Sequence, residues 1–317
     1  MLSLGEVQTG LLQTSEVLSA GPAGDLLSLL PGERVRTWER PIPHASSPEV
    51  LTGVDCQPPT TAGAKARIIG TLASQVTLTG GNLLQSATRV DIRPGQDGRR
   101  HPWSYYLARP GVVELLGAVR ADDVAAGFVT GVRTAAALDL GGVSEHFMNT
   151  VQRSPGLDRK PPFRVSRTRL RWAASPVADR SAQRIVFTLG QDGLRTVRLH
   201  AVSESSREIG ELCADLALHD WLLSTLSSLV ELARIGQSPT VEVLRRLRPA
   251  VDHLLHAWMP VARLAAELSV FWDELDRQPG FSRQWQATVA RIRDQLAVGA
   301  IEALTPQDYR SGRGRPA

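Results

Sequence analysis

Residues 213 to 223 read "CADLALHDWLL" and residues 251 to 260 read "VDHLLHAWMP". Each sets an aspartate four residues before a histidine, Asp215 with His219 and Asp252 with His256. On a helix that spacing places carboxylate and imidazole on one face. Two such pairs on facing helices could hold a metal, and one buried pair could act as an acid-base couple with a tuned pKa. Stepping about 100° per residue, His219 falls at the centre of the apolar face formed by Leu212, Leu223, Leu226 and Val230, with Asp215 at its flank. In the next helical stretch the apolar face is Leu244, Leu247, Val251, Leu254, Leu255 and Trp258, and Asp252, His253 and His256 project away from it. One pair faces a core and the other faces solvent, so no metal site and no cofactor is expected. Asp215 and His219 stand as the catalytic candidates, beside the plainer reading of a buried histidine held by hydrogen bonds.

Other catalytic patterns are missing. The chain has no G-x-x-x-x-G-K-[ST], and "AGAKAR" at 62 to 67 lacks both the first glycine and the hydroxyl after Lys65. It has no H-E-x-x-H, C-x-x-C, G-x-S-x-G or G-x-G-x-x-G. Ser144, Glu145 and His146 are neighbours in sequence, but triad members meet only in the fold.

The stretch "RKPPFRVSRTRLRW" carries a different chemistry. In a strand, Arg167, Arg169 and Arg171 share one face, a basic ladder suited to phosphate, nucleic acid or an acidic partner. Its bland counterpart is the solvated face of an edge strand, where charge blocks aggregation. Trp221 lies opposite the main apolar face of its helix, together with Leu218, Thr225 and Leu232. That second apolar face serves either internal contacts or a partner.

The elements that must position these residues fall into two groups. "AKARIIGTLASQVTLTGGNLLQSATRVDI" alternates with period two on both sides of Gly80-Gly81-Asn82, which predicts a long antiparallel hairpin. "PGVVELLGAV" and "GGVSEHFMNTVQR" read as short helices, and "SPGLDRKPPF" at 154 to 163 as a Pro-rich connector. "FRVSRTRLRWAA", "QRIVFTLG" and "LRTVRLHAV" read as strands completing the sheet, the last two joined at Asp192-Gly193. Ser205 and Glu208 have capping-box spacing at the head of a helix over about 206 to 234. Further helices are expected from Thr240, interrupted at Pro249, over Val261 to Leu275, and after Ser282. The fold class is therefore α+β, an N-terminal antiparallel β-rich domain (1–203) followed by a C-terminal antiparallel four-helix bundle (204–304), with a disordered tail at 305–317.

At 317 residues, 42% hydrophobic and 21% charged, the chain can bury a core and lies outside the range of disordered sequences. Its net charge of +4 is small, and nearly all its cations are arginine, since Lys65 and Lys160 are the only lysines. Cys56 and Cys213 lie far apart, so no disulfide framework is expected. Neither a signal peptide nor a transmembrane run is read, which makes cytoplasmic localisation the expectation.

The strings "HPWSYYLARPGVVE", "KPPFRVSRTRLRW", "LCADLALHDWLLSTL", "RRLRPAVDHLLHAWMP" and "RQPGFSRQWQATVARIRDQL" together resemble an uncharacterised actinobacterial, Streptomyces-type protein family. The resemblance spans nearly the whole chain. It implies a gene neighbourhood shared with other uncharacterised proteins and a variant P-loop protein, hence a component of a multi-protein system, and it implies no activity or site residues. The leading expectation is a non-enzymatic adaptor or scaffold that binds proteins, a P-loop NTPase among them, through Arg167, Arg169, Arg171 and Trp221. Two alternatives stay open: an enzyme of unfamiliar type using Asp215 and His219, and a nucleic-acid-binding protein using the arginine strand.

Overall fold

The computed structural model describes residues 1–60, 66–95, 98–130, 136–202 and 205–304. The tail expected at 305–317 lies outside them. The strands are β1 Leu2–Leu11, β2 Arg36–Trp38, β3 His44–Ser46, β4 Val50–Cys56, β5 Arg67–Thr79, β6 Leu83–Pro94, β7 Val112–Leu116, β8 Thr168–Pro176, β9 Arg184–Leu189 and β10 Arg195–Ala201. The helices are α1 Ala20–Leu26, α2 Trp103–Leu107, α3 Ala121–Thr130, α4 Leu140–Gln152, α5 Ser206–Ala233, α6 Thr240–His253, α7 Ser269–Arg277 and α8 Phe281–Leu304.

The strands form one mostly antiparallel sheet in the order β2-β3-β5-β7-β6-β1-β8-β10-β9, with β4 also on β5 and β5 also on β6. Two pairings are parallel, β8 with β10 and β6 with β7. The expected hairpin is β5 and β6, turning at Gly80 and Gly81, whose φ values of 58° and 72° suit glycine. The Asp192-Gly193 turn joins β9 to β10, with Gly193 at φ 75°. The centre of the sheet is β1, all ten residues of which are buried between β6 and β8. Six of its ten residues are polar or glycine, and at Gly5 the reason is contact: a Cβ there would stand 2.3 Å from the Trp172 ring on the neighbouring strand.

One face of the sheet is apolar. Leu2, Leu4, Leu72 and Val90 meet Val124 and Phe128 of α3 and Leu140 of α4, while Val76, Leu78 and Leu84 meet Leu27 and Met148. Each such fully buried aliphatic side chain contributes about 1.5–3 kcal/mol. On the other face the alternation presents Gln75, Thr77, Gln85 and Arg89, and the start of α5 lies over it, with Gln85 Nε2 donating to the Ala214 carbonyl at 2.9 Å. Ser205 Oγ accepts from the Glu208 N–H at 3.3 Å, the expected cap of that helix.

Several expectations are corrected. "PGVVELLGAV" contains a strand, β7, because Val112 and Val113 complete a fork between β5 and β6. The helices lie mostly in the C-terminal part, as expected, but a four-helix bundle is not confirmed. The chain divides into two compact units, Met1–Trp221 with Met259–Pro279, and Leu222–Trp258 with Gly280–Ala317, rather than at 203/204. The third expected helix shrinks to the nine residues of α7, which belongs to the first unit, where the Glu274 carboxylate accepts from the Ile185 N–H of β9 at 3.2 Å. Residues 259 to 265 are not helical, and Val261 stands at φ 57°. A β-branched residue in that region is strained and is held there by other groups. In the second unit α6 lies on α8; Trp258 stacks on Trp285 at 4.3 Å, and Gly299 admits the Leu244 side chain, which a Cβ would approach to 2.4 Å.

Candidate functional site

Asp215 and His219 come together as the helical spacing requires, and the structure shows what they do. His219 is 1% exposed. Its Nδ1 lies 2.7 Å from the Asp215 carbonyl oxygen, while its Nε2 accepts from the Met259 N–H at 3.2 Å. Accepting at Nε2 places the proton on Nδ1, which donates to the carbonyl, and the ring is neutral. Burial drives its pKa down, the Asp215 charge opposes this, and Arg263 adds to the lowering. One turn earlier, Asp215 Oδ2 accepts from the Val261 N–H at 3.1 Å, and Oδ1 lies 3.7 Å from the Arg263 guanidinium. The pair therefore clasps the segment 259 to 263. It satisfies two backbone donors of a non-helical turn and so helps to hold Val261 at its left-handed φ.

The second pair forms no site. Asp252 is paired with Arg248 at 3.2 Å on an exposed helix face, and His256 lies beyond the end of α6, in a turn. Among the described residues no cluster of histidine, cysteine, aspartate and glutamate could hold a metal.

The arginine ladder runs from the surface at Arg167 into the interior at Arg171. Strand β8 is internal, paired with β1 and β10, so the edge-strand reading falls. Arg171 is buried and donates from Nε to Glu6 Oε2 at 2.8 Å, with its Nη1 3.4 Å from the Phe128 carbonyl. Arg169 is half-buried opposite Gln8. Arg167, before the strand, is exposed and donates to Asn149 Oδ1 at 2.7 Å. Trp221 is likewise buried, its Nε1 donating to the Ser166 carbonyl at 3.1 Å. Leu218 and Thr225 are buried too, so the second apolar face of α5 serves the interior except at the exposed Leu232.

The clasped segment leads to a site that the opening motifs did not indicate. Arg263, together with Ala262 and Leu264, forms one wall of a cavity of about 470 Å³ on the polar face of the sheet, within the first compact unit. Its floor is Ser46, Gln75, Thr77 and Gln85; a second wall is Arg207, Gly210, Glu211 and Ala214 of α5; its outer rim is Arg36, Trp38 and Arg40. His219 is not among the lining residues. Five arginines line it against three carboxylates, Glu49, Glu211 and Asp215. Arg89 is paired with Glu49, Arg207 with Glu211 at 3.1 Å, and Arg263 lies between Asp215 and Thr79, donating to Thr79 Oγ1 at 3.2 Å. Arg36 and Arg40 have no carboxylate partner among the described residues. Trp38 stacks flat on its cross-strand partner His44, with centroids 4.6 Å apart and planes 8° apart, and is still 42% exposed. Burial lowers the pKa of His44, so its ring adds no positive charge near neutral pH.

The signal for this rim was present as "RTWER" at 36 to 40, where Arg36, Trp38 and Arg40 fall on alternate positions and so on one side of an extended chain. Prolines and glycines on either side hid a strand only three residues long. Comparison with family models, curated proteins and solved structures returned no match. No helix among the described residues is long and apolar enough to cross a membrane.

Proposed function

We propose that this chain is a non-enzymatic binding protein of adaptor type, whose recognition site is the arginine- and tryptophan-rimmed cavity and whose ligand carries concentrated negative charge. The observation that supports this reading is the pair Arg36 and Arg40, two guanidinium groups on a cavity rim with no ion-pair partner among the described residues, Glu39 between them in sequence included. Planar guanidinium forks match carboxylate and phosphate oxygens, and a concave wall of low dielectric strengthens the attraction. The two catalytic candidates are already engaged: both ring nitrogens of His219 have partners, and Asp215, itself on the cavity lining, serves Val261 and Arg263. The resemblance to a family encoded beside a variant P-loop protein supports seeking the adaptor's protein partner among the products of neighbouring genes, and leaves open what carries the charge held in the cavity.

The test is isothermal titration of the wild type and the Arg36→Gln/Arg40→Gln double variant with inorganic pyrophosphate at several salt concentrations. Saturable binding that weakens with salt, and that falls by about tenfold or more in the variant, is expected. Absence of saturable binding to the wild type refutes the reading, as does equal affinity in the variant.

A further inference from the structure

We propose that the cavity is a nucleotide site, taking a ligand that joins a planar aromatic ring to phosphate. This rests on the anion-binding reading above and adds what that reading leaves open, the group attached to the negative charge.

The decisive feature is Trp38. Its indole is stacked against His44 on one side, which fixes its plane, and it remains 42% exposed. An exposed tryptophan held flat at the mouth of a cavity presents a rigid π-face, and nucleobases stack on such faces whatever their sequence identity. Arg36 stands two residues before it on the same strand and Arg40 two residues after it in the bend that follows, and both line the cavity. A ring stacked on Trp38 therefore has unpartnered guanidinium groups within reach of its substituents, the arrangement that a base with its phosphates requires.

The interior fits the remainder of such a molecule. Ser46, Thr77, Gln75 and Gln85 form a floor of uncharged polar side chains, with Ser46 bonded to Thr77 and both glutamine Nε2 groups donating within the protein, so the floor is polar but already ordered. The volume of about 470 Å³ lies within the range of small-molecule pockets. An acidic peptide would use the same arginines, but it would gain nothing from a flat indole. Binding here involves no hydrolysis; the nucleotide is held as a ligand.

The experiment titrates the full chain with ATP, GTP, inorganic pyrophosphate, adenosine and an Asp/Glu hexapeptide, each by calorimetry under identical salt. ATP or GTP is expected to bind about tenfold or more tightly than pyrophosphate, with adenosine weaker than either. Trp38→Leu should bring the ratio of nucleotide to pyrophosphate affinity close to one, while Arg36→Gln/Arg40→Gln should weaken nucleotide and pyrophosphate together. Circular dichroism of both variants checks that they fold. Equal affinity for nucleotide and pyrophosphate in the wild type overturns the nucleotide site and leaves the anion-binding reading standing. A hexapeptide that outbinds both nucleotides overturns it in favour of a protein ligand. If neither pyrophosphate nor any nucleotide binds, both readings fall.

Discussion

His219→Leu removes an imidazole whose two ring nitrogens both hold the backbone, and the structure makes it a stability variant. Leucine fills similar space, so the loss is mainly polar. The Met259 N–H loses its acceptor, and an N–H left without a partner costs about 1–3 kcal/mol. The Asp215 carbonyl loses a donor, a further cost of about 0.5–1.5 kcal/mol. A total of about 1.5–4.5 kcal/mol follows, with release of the 259 to 263 segment and of Arg263 from the cavity wall. Urea denaturation followed by circular dichroism measures the total near neutral pH. A pH series adds a signature that mere packing loss would not produce. Burial holds the folded pKa of His219 below the ordinary 6.5, so in acid the unfolded chain takes up a proton that the folded chain resists. Its contribution is complete above that value and is lost as pH falls below it, by at most about 1.4 kcal/mol per pH unit. His44, also lowered by burial, adds a slope of the same sign to wild type and variant alike, so the difference between the two curves isolates His219. A variant as stable as the wild type at every pH that nonetheless loses its biological activity would refute this account and return His219 to a catalytic role.

Two further outcomes follow from burial elsewhere. Arg171→Met leaves Glu6 charged and alone at the centre of the sheet and should cost about 3–5 kcal/mol in denaturant, with much of that loss recovered in Glu6→Leu/Arg171→Met; purely additive single losses would show that the pair is uncoupled. Burial pushes the Cys56 thiol up to about 11 and that of Cys213, fully enclosed in α5, higher still, so Ellman's reagent should label Cys56 slowly and Cys213 only after unfolding; fast native labelling of either would contradict these environments.

Local pattern made part of the fold legible. The β5–β6 alternation, the Asp192-Gly193 turn and the Ser205 cap are local, and each reappears where its residues stand. The wheel that put His219 in the apolar face of α5 and Asp252 outside that of α6 also held, because a helical face is set by residue spacing alone, whereas His256 fell beyond the end of α6, where no wheel applies. Strand β1 escaped notice because its glycine and polar residues are explained only by neighbours remote in sequence, Trp172 for Gly5 and Arg171 for Glu6.

By itself the sequence determined which segments are extended and which helical over most of the sheet and α5, and which helical faces are apolar. Only the tertiary structure decided that Arg169 and Arg171 lie on an internal strand, with Arg167 exposed just before it, that Trp221 is enclosed, and that Asp215 and His219 clasp a loop. Period and propensity report a residue's direction relative to its own backbone; whether that direction meets solvent, a neighbouring strand or a returning loop depends on which strand becomes central, and that is settled by pairings between segments far apart in the chain.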